Sequence, residues 1–429
     1  MRRRGVAGLT LGAVLALGGL AGCSGESGPP VLTWYTNPDA GGQDRIAAEC
    51  TEAADGAYVI ETAGLPREAS SQRDQLARRL AAHDASIDLM SLDPPFVPEL
   101  ANAGFLAPVP DDVAQRVSQD VVAGALTGAT WEDQLVALPF WANTQLLWYR
   151  TSVAKEAGID PSKPVTWDQL IDAVSGSDHY LGVQGTRAES LTVWINALIE
   201  GAGGHIVPDP TADATSVNLG LDSDAGREAA RIMSEIGRGG LGGPGLPTAD
   251  ENATFSIFQG DHGSFMVNWP FVWPAMKEAV DAGQLDKAVL DDVGWAMYPA
   301  TVEGQPSRPP LGGIDIGVGA YSKHTDLAYQ AAECIVDPAK QAAYFVSDGN
   351  PPAASAAYDD PKVRDAFPMA DLIRASLEQA APRPQTPYYN EVSGGLQQTW
   401  HPPSSVDPDT TPGKAEDLIT AVLRGEQLL

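Results

Sequence analysis

Several residues sit where a folded chain could do chemistry. Asp93 follows the apolar run Ile87–Leu92, and Asn37 follows the run Val31–Tyr35. Trp269 ends the run that begins at Gly263 and stands just before Pro270, Asn143 lies between Trp141 and Thr144, and Arg383 is bracketed by Pro382 and Pro384. Carboxylates, amides and a guanidinium fork satisfy hydroxyl groups, which both donate and accept, and an indole offers a plate for an apolar ring face. Together these types would hold a neutral sugar by hydrogen bonding and stacking. A buried polar group left unpaired costs about 1–3 kcal/mol, which would make the match stereochemically selective. Flanking prolines stiffen the backbone at Arg383 and suit a planar, bidentate fork.

Each position also has a plainer reading. Asp93 is as good an N-cap for the segment after it, PPFVPEL, as it is a ligand group. Asn143 could be a turn amide, Trp269 a core plug and Arg383 a solvated surface charge. Ten Trp against nine Phe is an unusual ratio, and Trp34, Trp148 and Trp194 read as core, so stacking is one use for the excess. Nothing points to a catalytic centre. The stretch 237–247, GRGGLGGPGLP, formally matches a dinucleotide-binding glycine pattern but follows a helix and leads into proline, so it fails in context. No P-loop, HExxH, GxSxG or CxxC occurs, and no cofactor is expected; with three Cys and six His, neither is a metal site.

The elements that must position these residues alternate. A strand at Val31–Tyr35 is followed by a helix over 43–54, a strand near Tyr58–Thr62, an amphipathic helix over Ser71–His83 and a strand over Ile87–Leu92. That alternation implies an α/β fold with a mostly parallel sheet, whose ligands sit at the C-terminal strand ends, placing Asn37–Asp39 and Asp93–Phe96 there. Two β-like runs, Leu135–Phe140 and Thr144–Tyr149, are joined by Trp141–Asn143. Helices follow at Trp167–Val174, Ala188–Ile199 and Ala225–Ile236, the last with Ser223 or Asp224 as N-cap. Strands are expected at Gly263–Trp269, Trp295–Tyr298 and Ile314–Val318, a tight turn at Pro309–Gly313, and helices over 325–336, 369–380 and 413–424.

The chain has 429 residues, 56 Asp+Glu against 27 Lys+Arg and a formal net charge of −29, which argues against nucleic-acid or anionic-membrane partners. At 43% hydrophobic and 19% charged it is neither disordered nor a coiled coil, and its length suggests two lobes or domains. Arg2–Arg4, the apolar run Gly5–Leu20 and small residues before Cys23 make a secretory signal over 1–22. Its removal takes the three arginines with it, moving the net charge from −29 to −32. The ending Leu20-Ala-Gly-Cys23 resembles a bacterial lipobox, which implies a lipidated Cys23 as the new N-terminus, a tether over 23–30 and an extracytoplasmic protein touching the membrane only through its anchor. Cys50 and Cys334 remain in this disulfide-permissive compartment, as a bridge or as two buried thiols.

The order of parts resembles the extracellular sugar-binding subunits of bacterial ABC importers, the family 1 solute-binding proteins that include the maltose-binding proteins. The resemblance rests on the lipobox and tether, LVALPFWANTQLLWYRTSV (135–153), the segment from Phe258-Gln-Gly to Val267-Asn-Trp269, and Gly312-Gly313. Within the family, NTQLLWYR (143–150), VNWPFVW (267–273) and FPMADLIRASLEQAAPRPQTPYY (367–389) are similar to the trehalose-binding lipoproteins, where cysteines also fall at the positions of Cys50 and Cys334. It implies a two-lobe periplasmic-binding-protein-like fold of type II with the ligand in the interlobe cleft, lobe 1 being 31–142 plus 300–350 and lobe 2 being 143–299 plus 351–429. Carried over, it points to Asp93, Asn143, Glu251, Trp269 and Arg383 as sugar contacts. Asn268, Gly313, Glu189 and Asn37 complete the candidate set, and Glu251 otherwise reads as a helix-cap acid with Thr248 at the start. The implied partners are a trehalose-like disaccharide and the permease and ATPase subunits of an importer, with the binding protein a monomer and no enzyme. Two rivals remain: a glycoside hydrolase using Asp93 with Glu251, and a binder of another solute such as a polyamine, which Arg383 in the cleft would repel.

Overall fold

The computed structural model describes residues 28–209 and 213–429. The expected signal over 1–22, Cys23 and most of the tether lie outside the described residues.

Nine strands build two sheets: β1 Val31–Thr36, β2 Val59–Gly64, β3 Leu89–Leu92, β4 Leu138–Thr144, β5 Leu146–Arg150, β6 Tyr180–Gly182, β7 Gly263–Asn268, β8 Val293–Ala296 and β9 Leu311–Val318. The first sheet runs β2-β1-β3-β9-β4, the second β8-β5-β7-β6. β1 pairs in parallel with β2 and β3, as the helix crossovers Gly42–Ala53 and Ala69–Ala81 require. β9 returns antiparallel between β3 and β4. Helices cover the sheets because each strand buries apolar residues: Leu32 and Trp34 of β1 pack with Ile46, Ala47 and Cys50 of the first helix, and Trp194 and Trp148 are likewise fully buried.

Three expectations need correction. The sheets are not mostly parallel: β9 runs antiparallel to β3 and β4, and β5 antiparallel to β7 and β8, so parallel pairing is confined to β1 with β2 and β3 and to β6 with β7. Trp141–Asn143 is not a connector but part of β4, because Asn143 and Ala142 pair with Gly312 and Gly313 of β9. For the same reason Gly312-Gly313 is not a tight turn: both glycines lie in β9, held by a ladder that local propensity does not reveal. Ser223 caps its helix as expected, its Oγ accepting from Gly226 N at 3.2 Å.

The chain passes between the sheets three times. Only Gln145 separates β4 from β5, and residues 297–310 link β8 to β9. The third passage follows the helix Ala370–Gln379, which lies against β4 with Ser376 Oγ 2.9 Å from Thr144 Oγ1. There Ala381 pairs with the second passage, Leu311 N donating to Ala381 O at 3.0 Å and Ala381 N to Pro309 O at 2.8 Å. The helices Tyr389–Thr399 and Thr411–Leu423 then join the core of the second lobe, where Val392 and Leu396 pack in one cluster with Trp194 and Ile195.

Cys50 and Cys334 form a disulfide, Cα–Cα 5.9 Å, between the helices Gly42–Ala53 and Thr325–Ile335 of the first lobe. Among the described residues no helix is long and apolar enough to cross a membrane. Among them, too, no group of three or more His, Cys, Asp or Glu could hold a metal ion.

Candidate functional site

Between the lobes lies a cleft of about 630 Å³, within the ~300–1,000 Å³ range of small-molecule sites. Asn37 after β1, Asp93 after β3, Asn143 on β4 and Gly313 on β9 line it from the first lobe, and Glu189, Glu251 and Trp269 from the second. Arg383 reaches it from the third passage. Eight of the nine candidates therefore converge.

Asn268 is the exception. It is fully buried, its Nδ2 donating to Glu251 O at 3.0 Å and its Oδ1 accepting from Trp269 N at 2.9 Å. Its amide thus ties two cleft residues together without facing the cleft. Glu251 opens the helix Glu251–Gln259, but the cap is Asp250, whose Oδ1 accepts from Ala253 N at 2.7 Å; Thr248 lies in the preceding turn. Burial raises the pKa of the Glu251 carboxyl.

Trp269 and Gly312 meet across the cleft. A Cβ on Gly312 would stand 3.1 Å from the indole, so bare backbone lets the ring lie close. Gly313 has φ +139°, and a Cβ there would come within 2.3 Å of Trp141 O; only glycine fits both the conformation and the approach. Asn143 turns its Oδ1 to Thr144 N at 3.0 Å, which leaves its NH2 for the cleft. Asn37 and Trp141 line the same space, but Asn37 Oδ1 and Trp141 Nε1 are themselves closed off from solvent, with no hydrogen-bond partner among the described residues.

Asp93 precedes the turn Pro94–Phe96 without capping it. Its carboxylate instead meets the Arg383 fork, with Nη1 3.2 Å from Oδ2 and Nη2 2.5 Å from Oδ1. Nη1 also donates to Glu189 Oε1 at 2.7 Å. Arg383 is 4% exposed, so it is no solvated surface charge, and its terminal nitrogens engage carboxylates rather than standing free for hydroxyls. Burial opposes its charge, but Asp93 and the other neighbours outweigh that and hold its pKa well above the usual value. Glu189 is pushed up, by burial first, against the pull of Arg383. With two carboxylates facing one guanidinium, the cluster does not repel a cation as the sequence suggested.

The sequence profile of the bacterial extracellular solute-binding proteins matches residues 64–342. The chain belongs to that family. A probable ABC transporter-binding protein of Deinococcus radiodurans is 24% identical to this solute-binding protein over 375 residues, 80% of this chain and 83% of that one. A maltotriose-binding protein of Pyrococcus abyssi is 24% identical over 310 residues, 70% of this chain and 62% of that one. Among solved structures, maltose-bound T. maritima MalE3 has a TM-score of 0.77 at 22% identity, covering 92% of this chain and 100% of that one. The GacH receptor of Streptomyces glaucescens has a TM-score of 0.75 at 18% identity, covering 93% and 100%. The fold of the solute-binding protein is thus the two-lobe, maltose-binding-protein-like one.

Among the residues that sequence reasoning missed are Trp141 in the cleft lining and three that stand behind it, Tyr389, Ser393 and Asp315. Trp141 was placed in a connector, and its neighbours gave no sign of a cleft-facing strand. Tyr389 and Ser393 hold Glu189 from a C-terminal helix, the Tyr389 phenol donating to Oε1 and Ser393 Oγ to Oε2 at 2.8 Å. Asp315 of β9 is 2% exposed behind Asp93, with Oδ2 unpartnered among the described residues. Its place in an apolar strand, LGGIDIGV, was the available signal: a lone acid there needs a reason.

Proposed function

We propose that this solute-binding protein captures trehalose or a related disaccharide between its lobes and delivers it to the permease and ATPase subunits of an ABC importer. It works as a monomer on the outer face of the cell membrane, held there by lipid on Cys23. The observation that carries the ligand reading is the cleft's composition: the Trp269 indole against the bare backbone of Gly312, with the amide side chains Asn37 and Asn143 lining the same space. An indole plate takes a sugar ring face, and a hydroxyl, which both donates and accepts, is the group that answers an amide. The ligands of similar proteins, maltotriose, maltose and acarbose, are of the same chemistry.

Calorimetric titration with trehalose, maltose, sucrose and spermidine tests it, with released glucose followed for a day. Trehalose binding without turnover is expected. Glucose release would make the protein a hydrolase, and binding of spermidine alone would favour the polyamine reading, which the neutralised Arg383 no longer opposes.

A further inference from the structure

Tyr389 touches both lobes. It opens the helix Tyr389–Thr399, and its phenol donates to Glu189 of the second lobe. Its ring meets Phe96 of the first lobe edge-on, centroids 5.4 Å apart and planes at 77°. One turn further, Ser393 Oγ donates to the other Glu189 oxygen while accepting from Thr192 Oγ1 at 2.8 Å and Gln397 Nε2 at 2.9 Å. Residues four apart share a helix face, so one short surface grips both oxygens of a single carboxylate. Oε1, the oxygen held by Tyr389, also accepts from Arg383 Nη1, and the Arg383 loop is pinned independently by Asn196 Nδ2 on Pro382 O at 3.1 Å. The fork's remaining terminal bonds run to Asp93.

We propose that Tyr389 and Ser393 are positioning residues: they fix Glu189, Glu189 sets the Arg383 fork, and the fork aims the Asp93 carboxylate at the ligand. A helix of the second lobe thereby sets the binding geometry of a carboxylate in the first. The chain of bonds is complete only when Asp93 and Arg383 are together, so Tyr389 acts on the ligand without touching it. This rests on the reading of the cleft as a sugar site to which Asp93 contributes.

The test is a pair of double-mutant cycles in the full chain: Tyr389→Phe and Ser393→Ala, each alone and combined with Asp93→Asn. Tyr389→Phe keeps the ring on Phe96 and removes only the donor. In trehalose titrations it should weaken binding by about tenfold, as expected for a lost hydrogen bond to a charged group, and that effect should vanish in the Asp93→Asn background. Ligand-free unfolding midpoints should be non-additive in the same sense. Additive midpoints for both pairs overturn the relay whether or not trehalose binds, as does wild-type affinity in both single variants. A parent protein that ignores trehalose but shows coupled midpoints overturns the sugar reading and leaves the relay standing.

Discussion

Arg383 and Asp93, 290 residues apart in sequence, meet in the cleft as fork and carboxylate, the fork from the third interlobe passage and the carboxylate from the first lobe. Glu189 completes the group from the second lobe. Charges this deeply buried hold each other in place, so removing one partner exposes the penalty of the rest.

Arg383→Met should therefore destabilise the protein by about 3–5 kcal/mol in denaturant unfolding at pH 7.5. Without the cation the Glu189 carboxyl, already raised by burial, loses the pull that lowers it and titrates higher in the folded state than in the unfolded chain. The folded state then takes up protons the unfolded state does not, and the deficit should shrink as pH falls. A variant as stable as its parent at neutral pH would show that the group holds nothing together.

Trp269→Ala should act on binding rather than folding. The residue is half-buried, and its backbone bond to Asn268 survives the change. Loss of a central aromatic contact is expected to cost about 2 kcal/mol, roughly thirtyfold in trehalose affinity. An unchanged titration would remove the indole from the site.

Asp315 should make stability pH-dependent. Burial, and then the nearby charge of Asp93, raise its pKa well above that of an ordinary aspartate. The folded state keeps a proton that the unfolded chain gives up near the ordinary value, so its contribution is full in acid and declines as pH rises toward the folded-state pKa. Asp315→Asn imitates the protonated form. Calorimetric melts should match the parent at pH 4 and exceed it increasingly toward pH 8; parallel curves would mean that the carboxyl is charged in the fold.

The disulfide closes a sequence separation of 284 residues within the first lobe. Replacing Cys50 and Cys334 by Ala should lower stability by about 2–5 kcal/mol. Trehalose affinity should hold, since neither cysteine lines the cleft. Two alkylatable thiols in the untreated native protein would contradict the bridge.

Periodicity alone revealed the alternating strands and helices, and the strand-end rule placed Asn37 and Asp93 at the cleft, because both signals are local. The errors share one cause. Ala142-Asn143 and Gly312-Gly313 lack strand character taken singly, yet they pair with each other across the first sheet. The partner that decides their conformation is remote in sequence. Arg383 suffered likewise: flanking prolines marked it as special, but nothing nearby showed that its fork would close on Asp93 and Glu189 rather than face a ligand. Tyr389 and Ser393 were unreadable for the same reason, since their partner lies on another helix altogether.

Gln145 alone spans the passage from β4 to β5, and its side chain is tied down as well, Nε2 donating to Gln184 Oε1 at 3.2 Å. A single residue between two hydrogen-bonded strands supplies two soft torsions and no slack, so at this point the lobes can swivel but cannot slide. Asn268 pairs with Leu146, and Gly312 with Asn143, which puts the Trp269 plate and the glycine beneath it beside that fulcrum. Parts close to a fulcrum travel least. Trp269 and Gly312 accordingly shift little when the lobes turn, while groups farther out on the lever arms sweep through the larger arc.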